Sequence, residues 1–296
     1  MMSFSSLAAY PALSLSNFAS REQQLALAPP HPPPTDAADS RPTAADLAAA
    51  LTAGAVRTSF QPQVALATGA LIGIEALARW THPELGVVPP DRFIPLAERS
   101  GLIGALTCVV LRESLAAVIR LRRLHPSVTV SVNISPVLLD DPALPDCVAN
   151  MLAEAGLDPS ALVVEVTEGQ PFSNPDRAGE VLLALRAQGI GCAMDDFGTG
   201  YATLPALLRM PFTELKIDRS FVARAADLPE AGRLVRATIR LGQALGLHVV
   251  AEGIETEAVE RLLREAGCDA GQGFRYGKPM PMEALLERWS DRTGRS

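Results

Sequence analysis

The sequence predicts an α/β fold, a modified TIM (β/α)8 barrel whose first strand runs antiparallel to the others. Eight short, β-branched apolar runs alternate with amphipathic stretches, which is the pattern of strand–helix units in a parallel sheet. Only the residues ATG (67–69) separate the first two runs, as is typical of an antiparallel hairpin. Nearly every run ends in a carboxylate, a carboxamide or an amine. A doubly wound open sheet is the alternative that topology alone leaves open.

The elements follow one another in a regular order. Strands are predicted at 57–66, 70–80, 128–135, 161–169, 189–196, 213–218, 248–255 and 269–274. A helix at 43–53 precedes the first strand, and further helices are predicted at 91–99, 107–124, 143–155, 176–188, 202–209, 230–245, 257–266 and 282–290. Glycines stand where a helix must end before the next strand begins, at 156, 189, 246 and 267.

The composition divides the chain into three parts. Residues 1–42 include a segment rich in Pro, Asp and Ser, and we predict a disordered or flexible leader there. Residues 43–290 are predicted to form one folded domain, followed by a flexible tail at 291–296. Because 48% of the residues are hydrophobic, the chain can bury a substantial core, which excludes wholesale disorder.

Charge and hydropathy exclude several classes of protein. A net charge of −7 disfavours a protein that coats a nucleic acid polymer. No apolar run reaches the roughly 18 residues that a transmembrane helix needs, so no membrane partner is expected. The four cysteines have no paired spacing and are interpreted as reduced thiols of a cytoplasmic protein.

Polar side chains at the strand ends are predicted to meet at one face of the barrel. Any one of them could be a cap or a turn residue, but several carboxylates at one rim repel each other unless cations bind. Carboxylates with a carboxamide, without His or Cys, suit Mg²⁺ or Mn²⁺. The residues concerned are Glu75, Asn133, Glu165, Glu168, Asp195, Asp196, Lys216, Asp218, Glu252, Glu255 and Gln272.

The adjacent Asp195 and Asp196 can face one site only if their strand breaks, and the glycines of FGTGY (197–201) permit a break. One aspartate could then bridge two metal ions roughly 3.5–4 Å apart, an arrangement used for displacement at phosphorus. Lys216 is predicted to point into the acidic rim and hold the attacking water. Glu252 fits a general base or a ligand of the second ion.

Together the motifs resemble one known family. Glu75-Ala76-Leu77 lies in GIEALARW, and the other motifs are FQP (60–62), FIPLAERSGLI (93–103), SVNIS (131–135), EVTE (165–168), DDFGTGY (195–201), LKIDRSF (215–221), AEGIET (251–256) and QGF (272–274). Over about residues 43–290 the sequence is similar to the EAL domain family. The resemblance implies a modified TIM barrel that hydrolyses cyclic di-GMP to linear pGpG with two Mg²⁺ or Mn²⁺ ions.

The resemblance also implies roles for single residues. One ion would be held by Glu75, Asn133, Glu165 and Asp195, and the second by Asp195, Asp196 and Glu252. Lys216 would contact the attacking water, with Glu252 as the favoured base. Cyclic di-GMP would contact Gln61, Glu75, Leu77, Arg79, Asn133 and Gln272, Arg79 through a phosphate. Gln272 and Glu255 would support the second ion. Glu168 would tether the loop 197–203, which contains Thr199 and acts in the family as a lid linked to homodimer formation.

The sequence departs from the family in two places. Ala202 replaces a usual serine in the lid, and Arg275 and Gly277 replace an apolar or aromatic residue and a serine after the last strand. We interpret Arg275 as covering the rim. The altered lid leaves a second function open, a receptor that binds cyclic di-GMP without cleaving it and signals through a regulatory protein partner. A third possibility, a structural barrel that neither cleaves nor binds cyclic di-GMP, would leave the acidic rim unexplained.

Overall fold

The computed structural model of the chain describes residues 41–167, 172–199 and 204–290. Nine strands within these ranges belong to one sheet. They are β1 (Val56–Ala65), β2 (Leu71–His82), β3 (Gly86–Val88), β4 (Thr129–Asn133), β5 (Leu162–Thr167), β6 (Gly191–Phe197), β7 (Glu214–Ile217), β8 (His248–Ala251) and β9 (Ala270–Gln272).

Eight of these strands close into a barrel. The sheet order is β1-β9-β8-β7-β6-β5-β4-β2-β3, and β1 also pairs with β2, which completes the ring. Strands β2 and β4 to β9 are parallel, whereas β1 is antiparallel to both of its neighbours. The predicted fold class, including the reversed first strand, is confirmed. The short β3 adds a hairpin at the end of β2.

Ten α-helices accompany the strands in the described residues. They are α1 (Ala44–Ala53), α2 (Pro90–Arg99), α3 (Ile103–Arg122), α4 (Leu144–Glu154), α5 (Pro175–Ala187), α6 (Leu204–Arg209), α7 (Arg219–Val222), α8 (Pro229–Ala244), α9 (Glu257–Glu265) and α10 (Met282–Ser290). Local chemistry sets several starts, since Thr43, Asn174 and Thr256 each cap a helix through the side-chain oxygen. None of these helices is both long and apolar enough to cross a membrane.

The hydrophobic core contains large apolar side chains from strands and helices. Trp80 on β2, Phe93 on α2, Leu121 on α3 and Trp289 on α10 are all at most 2% exposed. Burying a side chain of this size contributes about 1.5–3 kcal/mol each relative to leaving it in water. This packing leaves the interior of the barrel free to carry polar groups.

The strand register places those polar groups on the inside at one end. Alternate residues of a strand face the same side, so Glu75, Leu77 and Arg79 share one face of β2. Gln61 pairs with Glu75 across β1 and β2, and Asn133 of β4 pairs with Glu165 of β5. In a parallel barrel the carboxyl ends of the strands form one face, which brings these side chains together.

The structure corrects several predicted boundaries. Strand β6 continues through Asp195 and Asp196 to Phe197, and β8 ends at Ala251, so Glu252 and Glu255 belong to the following loop. Helix α3 begins at 103 rather than 107, and β3 and α7 were not predicted because each has only three or four residues. Glu168, Ala202 and part of the predicted lid lie outside the described residues.

Candidate metal centre

A single buried lysine lies among four carboxylates at the carboxyl-end face of the barrel. The Nζ atom of Lys216 is 2.7 Å from Glu252 Oε1, 2.8 Å from Glu165 Oε2, 3.2 Å from Asp195 Oδ1 and 3.8 Å from Glu75 Oε1. The lysine side chain is fully buried, as is that of Glu165. One positive charge therefore faces four acidic groups, and burial denies them most of the screening that water would provide.

The carboxylate oxygens are close enough to ligate cations. Those of Glu75, Glu165 and Asp195 can lie within 4.8 Å of one another, and so can those of Asp195, Asp196 and Glu252. Asp195 belongs to both groups, which gives it the position of a bridge. Among the described atoms, the buried Glu165 Oε1 has no hydrogen-bond partner. A buried oxygen of this kind needs a partner, and an all-oxygen site with an open acceptor fits a hard divalent cation.

The charge imbalance shows in the pKa values of Lys216 and Glu165. Burial alone would lower the pKa of Lys216, but the charges of Asp195, Glu165 and the other carboxylates outweigh it and hold that pKa well above its usual value. Burial raises the pKa of Glu165 well above its usual value, and the neighbouring charges of Glu75 and Asp195 add to the shift against the opposing effect of Lys216. The lysine is thus a fixed cation, while the Glu165 carboxyl favours a proton or a metal ion.

The second group of carboxylates behaves in the same way. Burial, followed by the charges of Asp195 and Glu75, raises the pKa of Glu252 to about 8 against the attraction of Lys216. Burial and the charge of Asp195 raise the pKa of Asp196 to about 6. A divalent cation would displace the retained protons, because its charge compensates the same repulsion.

Two adjacent aspartates face one site because β6 carries an irregularity. The pairing of β6 with β7 shifts register between Met194 and Phe197. Asp196 has φ 56°, and no other non-glycine residue in the described part of the chain has a positive φ. An extra residue of this kind in a strand turns a side chain to a new direction, and aspartate tolerates the left-handed region better than most residues. The strand break that the sequence predicts is therefore a bulge at Asp196 itself.

A chain of carboxamides holds Glu75 in place. Gln272 donates hydrogen bonds from Nε2 to Glu75 Oε2 and, at 3.0 Å, to Gln61 Oε1, and it accepts one at 3.0 Å from Gln63 Nε2. Asn133 Nδ2 donates to the other oxygen of Glu75 at 3.0 Å. Sequence reasoning missed Gln63, although its alternation with Gln61 in QPQ on one strand was a usable signal.

A cavity of about 190 Å³ opens beside the acidic cluster. Leu77, Arg79 and Asn133 line it together with residues from the start of α3. Burial lowers the pKa of the Arg79 guanidinium, with Glu75 opposing the shift, and its Nη1 donates to the Ala78 carbonyl at 2.8 Å. An arginine at the edge of a metal-ligand set suits a phosphate group.

Four further residues that the sequence analysis named are outside the two three-carboxylate groups. Glu255 is exposed after β8 and belongs to neither three-carboxylate group. Thr199 is exposed, and its hydroxyl donates to the Asp196 carbonyl at 2.9 Å, which supports the bulge. Arg275 pairs with Glu260 of α9. Asp218 accepts a hydrogen bond from Ser220 N at 2.9 Å and thereby caps α7.

Comparison with known proteins identifies the family. The family model described as EAL domain matches residues 44–279, most of the chain. The chain belongs to the EAL domain family. The Glu75-Ala76-Leu77 triplet of this EAL domain thus places its glutamate in the first carboxylate group and its leucine at the wall of the adjacent cavity.

Two curated relatives come from Pseudomonas aeruginosa. The bifunctional diguanylate cyclase/cyclic di-GMP phosphodiesterase MucR is 42% identical over 246 residues, which are 81% of this chain and 35% of MucR. The cyclic di-GMP phosphodiesterase RocR is 37% identical over 246 residues, 83% of this chain and 63% of RocR. The EAL domain chain therefore spans about a third of one relative and less than two thirds of the other.

The fold is similar to that of a solved phosphodiesterase structure. The structure described as PaMucR phosphodiesterase in complex with c-di-GMP superposes with a TM-score of 0.76 at 41% sequence identity. The match covers 82% of this chain and 98% of that one.

Proposed function

We propose that this EAL domain hydrolyses cyclic di-GMP to linear pGpG with two divalent cations, Mg²⁺ or Mn²⁺. The observation that carries the proposal is the cluster in which Lys216 lies among four buried or partly buried carboxylates, with Asp195 common to both potential ligand groups. Relatives named as cyclic di-GMP phosphodiesterases, and the related structure with bound c-di-GMP, support the choice of substrate.

The residues divide between two ions in the proposed site. One ion would be held by Glu75, Asn133, Glu165 and Asp195, and the other by Asp195, Asp196 and Glu252. When bound, two such cations offset the phosphodiester charge and lower the pKa of the attacking water. The open Glu165 Oε1 and the all-oxygen composition of both groups support this assignment.

Three side chains of the site would have separate roles in the reaction at the phosphate. Water attacks phosphorus, a new P–O bond forms, and the bond from phosphorus to one ribose 3′-oxygen breaks, which opens the ring. Glu252 would accept the proton of the water, because its carboxylate lies 2.7 Å from Lys216 Nζ, the group that would hold that water. Lys216 would hold the water and stabilise the developing charge. Arg79, at the edge of the cavity, would donate to the phosphate.

Turnover of cyclic di-GMP by the purified chain tests the proposal. We expect linear pGpG to accumulate with Mg²⁺ or Mn²⁺ and not with a chelator. Glu75→Ala should lower the rate by at least about 100-fold, because even outer-shell changes at metal sites cost 10–100-fold. Glu287→Ala, on the exposed face of α10, is the matched control and should leave the rate unchanged.

The outcomes separate the enzyme from the receptor. Folded protein that forms no pGpG with either metal would refute hydrolysis. If calorimetry then showed tight binding of cyclic di-GMP without product, the receptor function would replace it. A Glu75→Ala variant with full activity would refute the assignment of the metal ligands.

A further inference from the structure

Gln63 of β1 is connected to a proposed metal ligand through one other side chain. Gln63 is 4% exposed and pairs with Gln272 of β9 across the antiparallel strands. Its Nε2 donates a hydrogen bond to Gln272 Oε1 at 3.0 Å. Gln272 Nε2 in turn donates to Glu75 Oε2. Gln63 is therefore two hydrogen bonds away from the Glu75 carboxylate.

Two acceptors fix the direction in which the carboxamides of this chain face. The Gly277 carbonyl accepts from Gln61 Nε2 at 3.1 Å, which turns Gln61 Oε1 towards Gln272. The Glu75 carboxylate, when ionised, can also only accept. Gln272 therefore has to direct its NH₂ group to Gln61 Oε1 and Glu75 Oε2, since the reverse orientation would place oxygen against oxygen.

This orientation leaves Gln272 Oε1 in need of a donor, and Gln63 supplies it. Gln272 is 3% exposed, so water has little access to this oxygen. Without the hydrogen bond from Gln63, a buried acceptor would lack its partner. The carboxamide of Gln272 could then satisfy its oxygen only by turning, at the expense of the hydrogen bonds that it donates to Gln61 and Glu75.

Gly73 of β2 leaves the space that the Gln63 side chain occupies. The two residues lie opposite each other in the pairing of β1 with β2. A Cβ atom at residue 73 would lie 2.6 Å from Gln63 Oε1 and 3.1 Å from Thr129 Oγ1. Gly73 does not have a positive φ, so its backbone conformation does not itself require glycine. Because Oε1 is the far end of a flexible side chain, Gly73→Ala would displace the Gln63 carboxamide rather than the strand.

We propose that Gln63 is a positioning residue, which acts through Gln272 to hold the Glu75 carboxylate in the orientation that binds one of the two ions. Gly73 contributes by leaving room for Gln63. Asn133 Nδ2 donates to Glu75 Oε1 at 3.0 Å, so a donor holds each oxygen of this carboxylate. The inference rests on the proposed function, because Glu75 is a ligand only if the site binds cations.

Binding of Mn²⁺ to the metal-free chain, measured by calorimetry without cyclic di-GMP, tests the proposal. Gln63→Met removes the donor but keeps a side chain of similar length, and Gly73→Ala displaces the donor from the opposite strand. We expect each variant to weaken Mn²⁺ binding by about 10-fold to 100-fold, the range found for outer-shell partners of metal ligands. Agreement between the two variants would exclude an effect peculiar to either substitution.

Each variant has a matched control elsewhere in the chain. Gln243 is exposed, and its Nε2 donates to the Gly267 carbonyl at 2.8 Å, so Gln243→Met removes a comparable hydrogen bond away from the site. A Cβ atom at Gly179 of α5 would lie 3.6 Å from Met210 Sδ, an ordinary contact. Gln243→Met and Gly179→Ala should both bind Mn²⁺ as the wild type does.

The side-chain amide signals of Gln272 separate positioning from a general loss of structure. In the NMR spectrum of the metal-free chain, Gln272→Met identifies these signals by their loss. Gln63→Met and Gly73→Ala should move them towards the positions of an exposed glutamine, while the backbone amide signals of the helices stay unchanged. This measurement needs neither metal nor turnover.

The outcomes distinguish this inference from the proposed function. A wild type that bound no Mn²⁺ would refute the metal centre on which the proposed function depends, and the positioning role with it. A wild type that bound Mn²⁺, with equal affinity in Gln63→Met and Gly73→Ala, would refute only the role of Gln63. Unchanged Gln272 signals in both variants would likewise overturn that role.

Discussion

At the scale of single residues, Lys216 decides the electrostatics of the centre. The chain has 26 lysines and arginines, of which only Lys216 and Lys278 are lysines. The flexible stem and compact ammonium of Lys216 let one group approach Glu165, Asp195 and Glu252 within 3.2 Å. An arginine would present a larger planar fork and would fit less easily into this buried space. The lysine therefore acts as a permanent cation that keeps the carboxylates together before metal ions bind.

Replacement of this cation should destabilise the metal-free protein. We expect Lys216→Met to lower the free energy of unfolding in EDTA at pH 8 by about 3–5 kcal/mol, because loss of one partner leaves buried charges uncompensated. Added Mg²⁺ should recover a larger part of that loss in the variant than it adds to the wild type. Urea unfolding followed by circular dichroism, with and without Mg²⁺, measures both effects.

Lys278→Met is the matched control for that experiment. Lys278 is exposed, with its Nζ 5.1 Å from the centre of the Phe274 ring, so its loss should change the free energy of unfolding by less than about 1 kcal/mol. Equal stability of Lys216→Met and the wild type in EDTA would show that Lys216 does not hold the carboxylates together.

At the scale of secondary structure, the bulge in β6 lets one strand supply two ligands. A regular strand would send Asp195 and Asp196 to opposite faces of the sheet. The positive φ of Asp196 and the shifted pairing turn the second carboxylate back towards the site. Asp195 Oδ1 accepts a hydrogen bond from the Asp196 backbone N–H at 2.9 Å, which stabilises the turn locally. The loop that follows carries Gly198, also at positive φ, so the chain leaves the strand without a further steric cost.

Three substitutions at Asp196 distinguish the effect of backbone strain on stability from the effect of the lost charge. Asp196→Asn, Asp196→Gly and Asp196→Ala all remove the charge, but only alanine fits the left-handed region poorly. We expect the alanine variant to be about 1 kcal/mol less stable than the asparagine variant. The glycine variant should be at least as stable as the alanine variant. Urea unfolding in EDTA compares the three.

All three variants should lose most hydrolysis, since none keeps the carboxylate that would hold the second ion. If asparagine and alanine gave the same free energy of unfolding, φ at residue 196 would not be the source of strain. Full activity in Asp196→Asn would remove this residue from the proposed ligand set.

At the scale of the whole molecule, the closed barrel holds several acidic side chains in its interior, a place where folded proteins usually bury apolar residues. Besides the cluster around Lys216, Glu214 at the start of β7 carries a buried oxygen without a hydrogen-bond partner among the described atoms. Burial raises the pKa of Glu214 to about 7, against the attraction of Lys216. Eight strands from separate parts of the chain hold these groups in place, and the surrounding helices supply the apolar packing that offsets their cost.

The stability of the metal-free chain should therefore fall as the pH rises. Glu252 and Glu214 have a pKa of about 8 and about 7 in the folded chain, above the usual glutamate value of 4.5. The folded state keeps these protons where the unfolded state has released them, so their contribution is present near pH 4.5 and is lost as the pH approaches 8. Each retained proton makes the slope about 1.4 kcal/mol per pH unit.

Thermal unfolding in EDTA between about pH 5.5 and about pH 8.5 tests this dependence. Mg²⁺ or Mn²⁺ should raise the Tm most at the upper end, because the cations then compete with fewer protons. Glu252→Gln should show a shallower decline than the wild type, and Glu287→Ala should follow the wild type. A Tm that rose with pH in EDTA would contradict the raised pKa values.

Much of the fold could be predicted because its signals are local. The periodicity of apolar residues located the eight barrel strands, and ATG between the first two predicted the reversed strand. The signal failed where elements were too short to repeat, as in β3 and α7. It also misplaced the ends of β6 and β8, because pairing with neighbouring strands, rather than the side chains themselves, decides where a strand stops.

The sequence alone determined which chemical groups the strand ends offer: oxygen ligands, one amine and carboxamides, in an order that belongs to the EAL domain family. Only the tertiary structure decided their distances. It showed Lys216 in contact with three carboxylates, the bulge that turns Asp196, and the hydrogen bond from Gln63 to Gln272. The physical reason is that residue types follow from local patterns, whereas contacts between distant segments depend on how strands pair and helices pack around the closed barrel.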